Sequence, residues 1–109
     1  MVVVDHDVFS ALANPARRQV LELLRDGPMT AGAIAGRFEL SRPAVSEHLR
    51  VLRLTGLVHE QPSGRKRYYE LAAEGLTAVS AWLHPFEAYW RDRLASLSDV
   101  LDEDEQERP

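Results

Sequence analysis

Ser41-Arg42-Pro43-Ala44-Val45-Ser46-Glu47-His48-Leu49-Arg50-Val51-Leu52 is the stretch on which the fold turns. Serine is a favoured helix N-cap, and proline is tolerated in a first turn because its missing N–H would be unpaired there anyway. Val45, Leu49 and Leu52 then fall at i, i+4 and i+7, which makes one buried stripe. The opposite face carries Arg42, Ser46, Glu47 and Arg50. Ser41, Ala44 and Ser46 keep the N-terminal end slim, and Thr55-Gly56 ends the helix.

Toward the N-terminus, Val8, Phe9 and Leu12 recur at helical spacing and predict a short helix over 7–13. Asn14-Pro15 starts a second helix that carries Val20, Leu21, Leu23 and Leu24 to about Arg25, where Gly27-Pro28 stops it. Arg17 and Arg18 on that helix read as solvated, with a phosphate within reach of one of them. Thr30 caps a third helix, with Ala31, Ile34, Ala35 and Phe38 on its inner face. Glu39-Leu40 makes a tight turn into Ser41.

Toward the C-terminus the period changes. Leu57–Gln61 and Arg67–Leu71 read as strands joined by a five-residue loop, Pro62-Ser63-Gly64-Arg65-Lys66. Tyr68 and Tyr69 alternate, so one packs on the domain and the other faces solvent or a ligand. His59 faces solvent. Beyond the hairpin, Leu76, Val79, Leu83, Phe86, Trp90, Leu94, Leu97 and Leu101 form one apolar stripe at spacings of three and four. Pro85 is expected to kink that helix or split it near His84.

This order gives a mostly α fold with a small β-hairpin, a winged helix-turn-helix. In that architecture the helix from Ser41 enters the major groove of double-stranded DNA. Arginine can read guanine bidentately and glutamate can accept from cytosine N4. The candidate groove-facing residues are Ser41, Arg42, Ala44, Ser46, Glu47, His48 and Arg50, with His48 partly buried. The hairpin tip, Gly64-Arg65-Lys66-Arg67, puts the cations Arg65, Lys66 and Arg67 on a protruding loop that can follow the backbone.

The net charge of −4 argues against a nucleic-acid partner only as an average. Residues 41–67 hold six bases against Glu47 and Glu60, whereas residues 99–109 hold six acids against Arg108. Residues 1–101 therefore read as one domain and 102–109 as an acidic tail. A chain of 109 residues has room for one domain. It has no cysteine, which excludes disulfide, thiolate-metal and thiol-redox chemistry. Its longest uncharged stretch, Gly75–Phe86, is too short to span a bilayer, and no basic region precedes the apolar N-terminal residues. The expectation is a cytoplasmic protein without a membrane partner.

Leu12-Ala13-Asn14-Pro15-Ala16-Arg17-Arg18, the Ser41–Leu52 stretch, Gly56-Leu57-Val58 and Gly64-Arg65-Lys66-Arg67-Tyr68-Tyr69-Glu70-Leu71 together resemble the ArsR family of bacterial repressors over roughly residues 7–100. The resemblance implies a homodimer, joined through its first and last helices, that binds an imperfect inverted repeat in its own or a neighbouring promoter. Val8, Phe9, Leu12, Leu83, Phe86, Trp90, Leu94 and Leu97 are the candidate interface residues. The apolar stripe fits that role independently, because so small a monomer has little core in which to bury it.

The metal-sensing members of the family use Cys-x-Cys motifs or Asp/His pairs on the last helix. Here cysteine is absent, and the positions that would pair with His84 are Leu71 and Ala73. The chain therefore resembles the non-metal branch, and neither cofactor nor metal is expected. The alternatives are a metal-responsive repressor with an atypical His/Asp/Glu site, drawn from His84 and Glu87 or from His6 between Asp5 and Asp7, and an interaction module without DNA binding. Trp82, Phe86, Tyr89 and Trp90 read as dimer core before they read as a small-molecule pocket. No nucleophile–base pair or phosphate-cradling loop points to an enzyme, since Ser46 and His48 face different sides of a helix.

Overall fold

Helix capping and apolar spacing account for most of the element boundaries in the computed structural model, which describes residues 7–107, with side chains described as far as Asp102. Helix α1 is Val8–Leu12, capped by Asp7, whose carboxylate accepts from the Ser10 N–H at 2.6 Å. Helix α2 is Pro15–Leu24, where the Asn14 side chain accepts from the N–H groups of Ala16 and Arg17. Strand β1 is Met29–Thr30 and helix α3 is Ala31–Ala35. Helix α4 is Arg42–Leu54, strand β2 Val58–Ser63, strand β3 Lys66–Leu71 and helix α5 Ala73–Glu107.

The chain divides into two units, one ending at Val79 and the other starting at Ser80. The core of the first unit is drawn from the elements that precede α5. Ala11, Val20, Leu21, Leu24, Ile34, Val45, Leu49, Leu52, Leu57 and Val58 form a single buried cluster, with Val8, Leu12, Phe38 and Tyr69 packed against it. Val45, Leu49 and Leu52 are all buried, so the stripe of α4 faces inward as its spacing requires.

The sheet differs from the expected hairpin in two respects. It has three strands in the order β1-β3-β2, because Met29 and Thr30 pair with Tyr69 and Tyr68. The loop is two residues long, since Ser63 pairs with Lys66 and Pro62 with Arg67. Gly64 supplies the positive φ, 64°, that the first position of such a turn requires. Pro62 is tolerated because β2 is an edge strand and the proline lies at the alternate register, where an N–H would point away from β3.

Helix α3 ends at Ala35 rather than Phe38, with Gly36 as its C-cap. Helix α5 is not split near His84; it runs through Pro85 to Glu107. The acidic stretch expected as a tail from residue 102 continues that helix. The start of α5 meets the exit of α4 closely: the Gly75 N–H donates to the Gly56 carbonyl at 2.7 Å.

Candidate nucleic-acid interface

The polar face of α4 is built by its cap. Ser41 Oγ accepts from the Ala44 N–H at 3.3 Å, and the Ser41 carbonyl takes the Val45 N–H. Pro43 has no N–H, so the Arg42 N–H is the open donor of that turn among the described residues. Ser41, Arg42, Ser46, Glu47 and Arg50 are exposed, while Ala44 and His48 are half-buried.

The tight turn aims the hairpin tip toward this face. A cleft of about 510 Å³ lies between them, lined by Arg42, Ser46, Arg65, Lys66, Arg67 and Tyr69 together with Thr30, Ala31 and Gly32 at the start of α3. Four cations and no acid line it. The Arg42 guanidinium folds over Gly32, with its central carbon 3.7 Å from where a Cβ would stand. Tyr69 packs toward the core and this cleft. Tyr68 lies on the other face of the sheet with Pro28, Gln61 and Pro62.

The cations are not all free. Glu47 holds Arg50 through two hydrogen bonds, Nε to Oε2 and Nη2 to Oε1, both 3.1 Å. Glu60 bridges Arg67 at 3.0 Å and Arg53 at 3.5 Å, one carboxylate oxygen to each. Among the described residues, Arg42, Arg65 and Lys66 have no ion-pair partner.

His48 points inward behind α4, and its Nδ1 is buried without a hydrogen-bond partner. Burial, and then the nearby Arg17 charge, push its pKa below the ordinary imidazole value, while Glu47 pulls the other way. Arg17 is not solvated as expected. Its Nε donates to the Ala11 carbonyl at 2.8 Å and its Nη2 to that of Ser10 at 3.4 Å. Arg18 donates to the Leu12 carbonyl at 2.7 Å. Both arginines thus close the C-terminal end of α1, where carbonyls lack helical partners and cations are favoured. Sequence reasoning missed this role; the signal available was a pair of arginines just beyond the end of a short helix.

The candidate dimer residues divide. Val8 and Leu12 are half-buried on the core of their own chain, whereas Phe9 is 46% exposed. On α5, Leu83, Phe86, Trp90, Leu94 and Leu97 are all exposed, Trp90 to 62%. Trp82 stacks obliquely on Phe86 with centroids 4.9 Å apart, and Arg93 lies 4.9 Å from the centre of the Tyr89 ring. His84 sits 3.7 Å from Glu87, and His59 pairs with Glu74 at 3.3 Å. Among the described residues no three His, Asp or Glu side chains gather as a metal site. His6 and Asp5 lie outside the described residues. No helix among the described residues is long and apolar enough to cross a membrane.

A slim, capped helix with a polar outer face, set beside a basic hairpin on a helical core, defines a DNA-binding winged helix-turn-helix protein. The model of the family described as bacterial regulatory protein, arsR family, matches residues 14–60. The HTH-type transcriptional regulator Rv2034 of Mycobacterium tuberculosis is 38% identical over 94 residues, 86% of this chain and 85% of its own. The transcriptional repressor SdpR of Bacillus subtilis is 37% identical over 81 residues, 74% of this chain and 90% of its own. The homodimeric winged helix-turn-helix domain of Mb0332 from Mycobacterium bovis, described as a possible ArsR-family regulator, superposes with a TM-score of 0.61 at 32% identity, covering 74% of this chain and 75% of that one. The chain belongs to the ArsR family of bacterial regulatory proteins, and it is a transcriptional regulator rather than an enzyme.

Proposed function

We propose that the chain acts as a homodimeric repressor that binds an imperfect inverted repeat in its own or a neighbouring promoter, without metal or cofactor. The observation that carries the reading is the cleft between α4 and the hairpin, lined by four cations and no acid. A phosphate backbone crossing that cleft meets Arg65 and Lys66, the hairpin cations that have no carboxylate to displace. The polar face of α4 then lies against base edges. The exposed apolar stripe of α5 supports assembly into a dimer, and a homodimeric relative has the same fold. Two copies related by a two-fold axis would read two half-sites about one helical turn apart.

The hairpin and the helix make separable contributions. Arg65→Ala and Lys66→Ala should weaken binding to every duplex alike and flatten the salt dependence of log K by about 0.9 for each phosphate that is no longer neutralised. Arg42→Ala and Arg50→Ala should instead relax base preference, at a cost of about 1–3 kcal/mol on the preferred site. Fluorescence anisotropy across a salt series, on the gene's upstream region and on an unrelated duplex, separates the two. Unchanged affinity and slope in the Arg65→Ala, Lys66→Ala double variant would remove the hairpin from the interface.

A further inference from the structure

We infer that Glu47 is a positioning residue for sequence readout, which holds Arg50 so that only one edge of its guanidinium is offered to DNA. The inference rests on the reading of α4 as the helix that enters the major groove. Glu47 takes the side edge of Arg50, the one formed by Nε and Nη2, at 3.1 Å to each of its oxygens. A guanidinium has a second bidentate edge, formed by Nη1 and the outer hydrogen of Nη2. That end edge is left open, and it matches the O6 and N7 acceptors of guanine.

The pairing changes what Arg50 gives to each kind of DNA group. A phosphate is drawn to charge, and the charge of Arg50 is already balanced by the carboxylate beside it. Guanine is drawn to a fixed pair of donors, and the carboxylate fixes them. The pair lies on the face of α4 that the cap leaves exposed, with Arg50 and Glu47 side chains 48% and 59% exposed. Both partners are therefore accessible to a groove, and neither contributes to the buried cluster. Glu47 thereby lowers the hold of α4 on arbitrary sequence while sharpening its preference at one base pair.

The test uses the full chain and a randomised duplex pool, with wild type, Arg50→Ala and Glu47→Gln selected in parallel. Arg50→Ala identifies the base pair that Arg50 reads, as the position where guanine enrichment disappears. Glu47→Gln removes the charge and keeps the size. It should lower guanine enrichment at that same base pair by about fivefold or more, the lower end of what a bidentate pairing discriminates. It should also steepen the salt dependence on an unrelated duplex by about 0.9 per protomer, because Arg50 becomes available to phosphate. Unchanged guanine enrichment at that base pair overturns the inference, as does a loss confined to a neighbouring pair, which would mean that Glu47 reads its own base. If the wild-type chain enriches no sequence at all, the operator reading falls first and takes this one with it.

Discussion

His48 on α4 feels the charge of Arg17, a residue of α2. Its Nδ1 is buried without a partner, Arg17 lies close enough to disfavour a second positive charge, and Arg17 itself is anchored on the Ala11 and Ser10 carbonyls of α1. Burial and the Arg17 charge thus both favour the neutral imidazole. A histidine whose folded pKa lies below its unfolded value of about 6.5 binds fewer protons when folded, so stability is full above that value. It is lost as pH falls from there through the folded pKa, below which both states are protonated and the loss levels off. His48→Gln should flatten that part of the profile. Urea denaturation at a series of pH values checks it, and parallel curves for wild type and variant would show that another group controls the acid limb. The partial burial of His48 is legible from its place beside Leu49, but the Arg17 charge next to it is not. Arg17 reaches it by way of α1, a tertiary relation that a helical repeat does not encode.

Among the elements, the capped helices and the β2–β3 hairpin were legible from local chemistry, and the pairing of β1 with a distant strand was not. Helix α4 announces itself through Ser41, Pro43 and the Val45, Leu49, Leu52 stripe, and the structure starts and buries it there. Strand β1 is two residues long, and its strand character comes from Tyr68 and Tyr69 across the sheet, distant in sequence. The hairpin loop read too long because proline counts as a turn residue until its strand is known to be an edge. The junction of α4 with α5 was equally hidden. A Cβ on Gly75 would stand 2.7 Å from the Gly56 carbonyl oxygen and 2.9 Å from Leu57 Cδ2. Gly75→Ala gains about 1 kcal/mol of helix propensity but must push a backbone carbonyl aside, an overpacking cost of about 1–3 kcal/mol. The clash also strains the 2.7 Å bond from the Gly75 N–H, so net destabilisation is expected. A denaturation midpoint equal to or above that of wild type would mean that the two helices do not meet this closely.

For the molecule as a whole, the unsolved quantity is apolar surface. Among the described residues, every member of the buried apolar core precedes α5, and yet α5 exposes Trp82, Leu83, Phe86, Tyr89, Trp90, Leu94, Leu97, Val100 and Leu101. A stripe of that size in water is characteristic of an interface, and in the proposed homodimer a second copy of the same stripe covers it. Asp99 and Asp102 flank Val100 and Leu101 on the same helix, so acid is interleaved with the apolar stripe at that end. If the stripe holds the dimer together, charge placed in its middle should separate the protomers without touching the DNA-binding unit. Leu94 and Leu97 are 61% and 55% exposed, so Leu94→Glu with Leu97→Glu leaves the buried cluster intact. Analytical ultracentrifugation should show a dimer for wild type and a monomer for the double variant, with the helical signal of the domain largely retained. Affinity for a two-half-site duplex should fall about a hundredfold or more, since each half-site is then bound without the effective concentration the partner supplied. A single half-site should be bound as before by each protomer. A double variant that still sediments as a dimer would place the interface elsewhere on the chain.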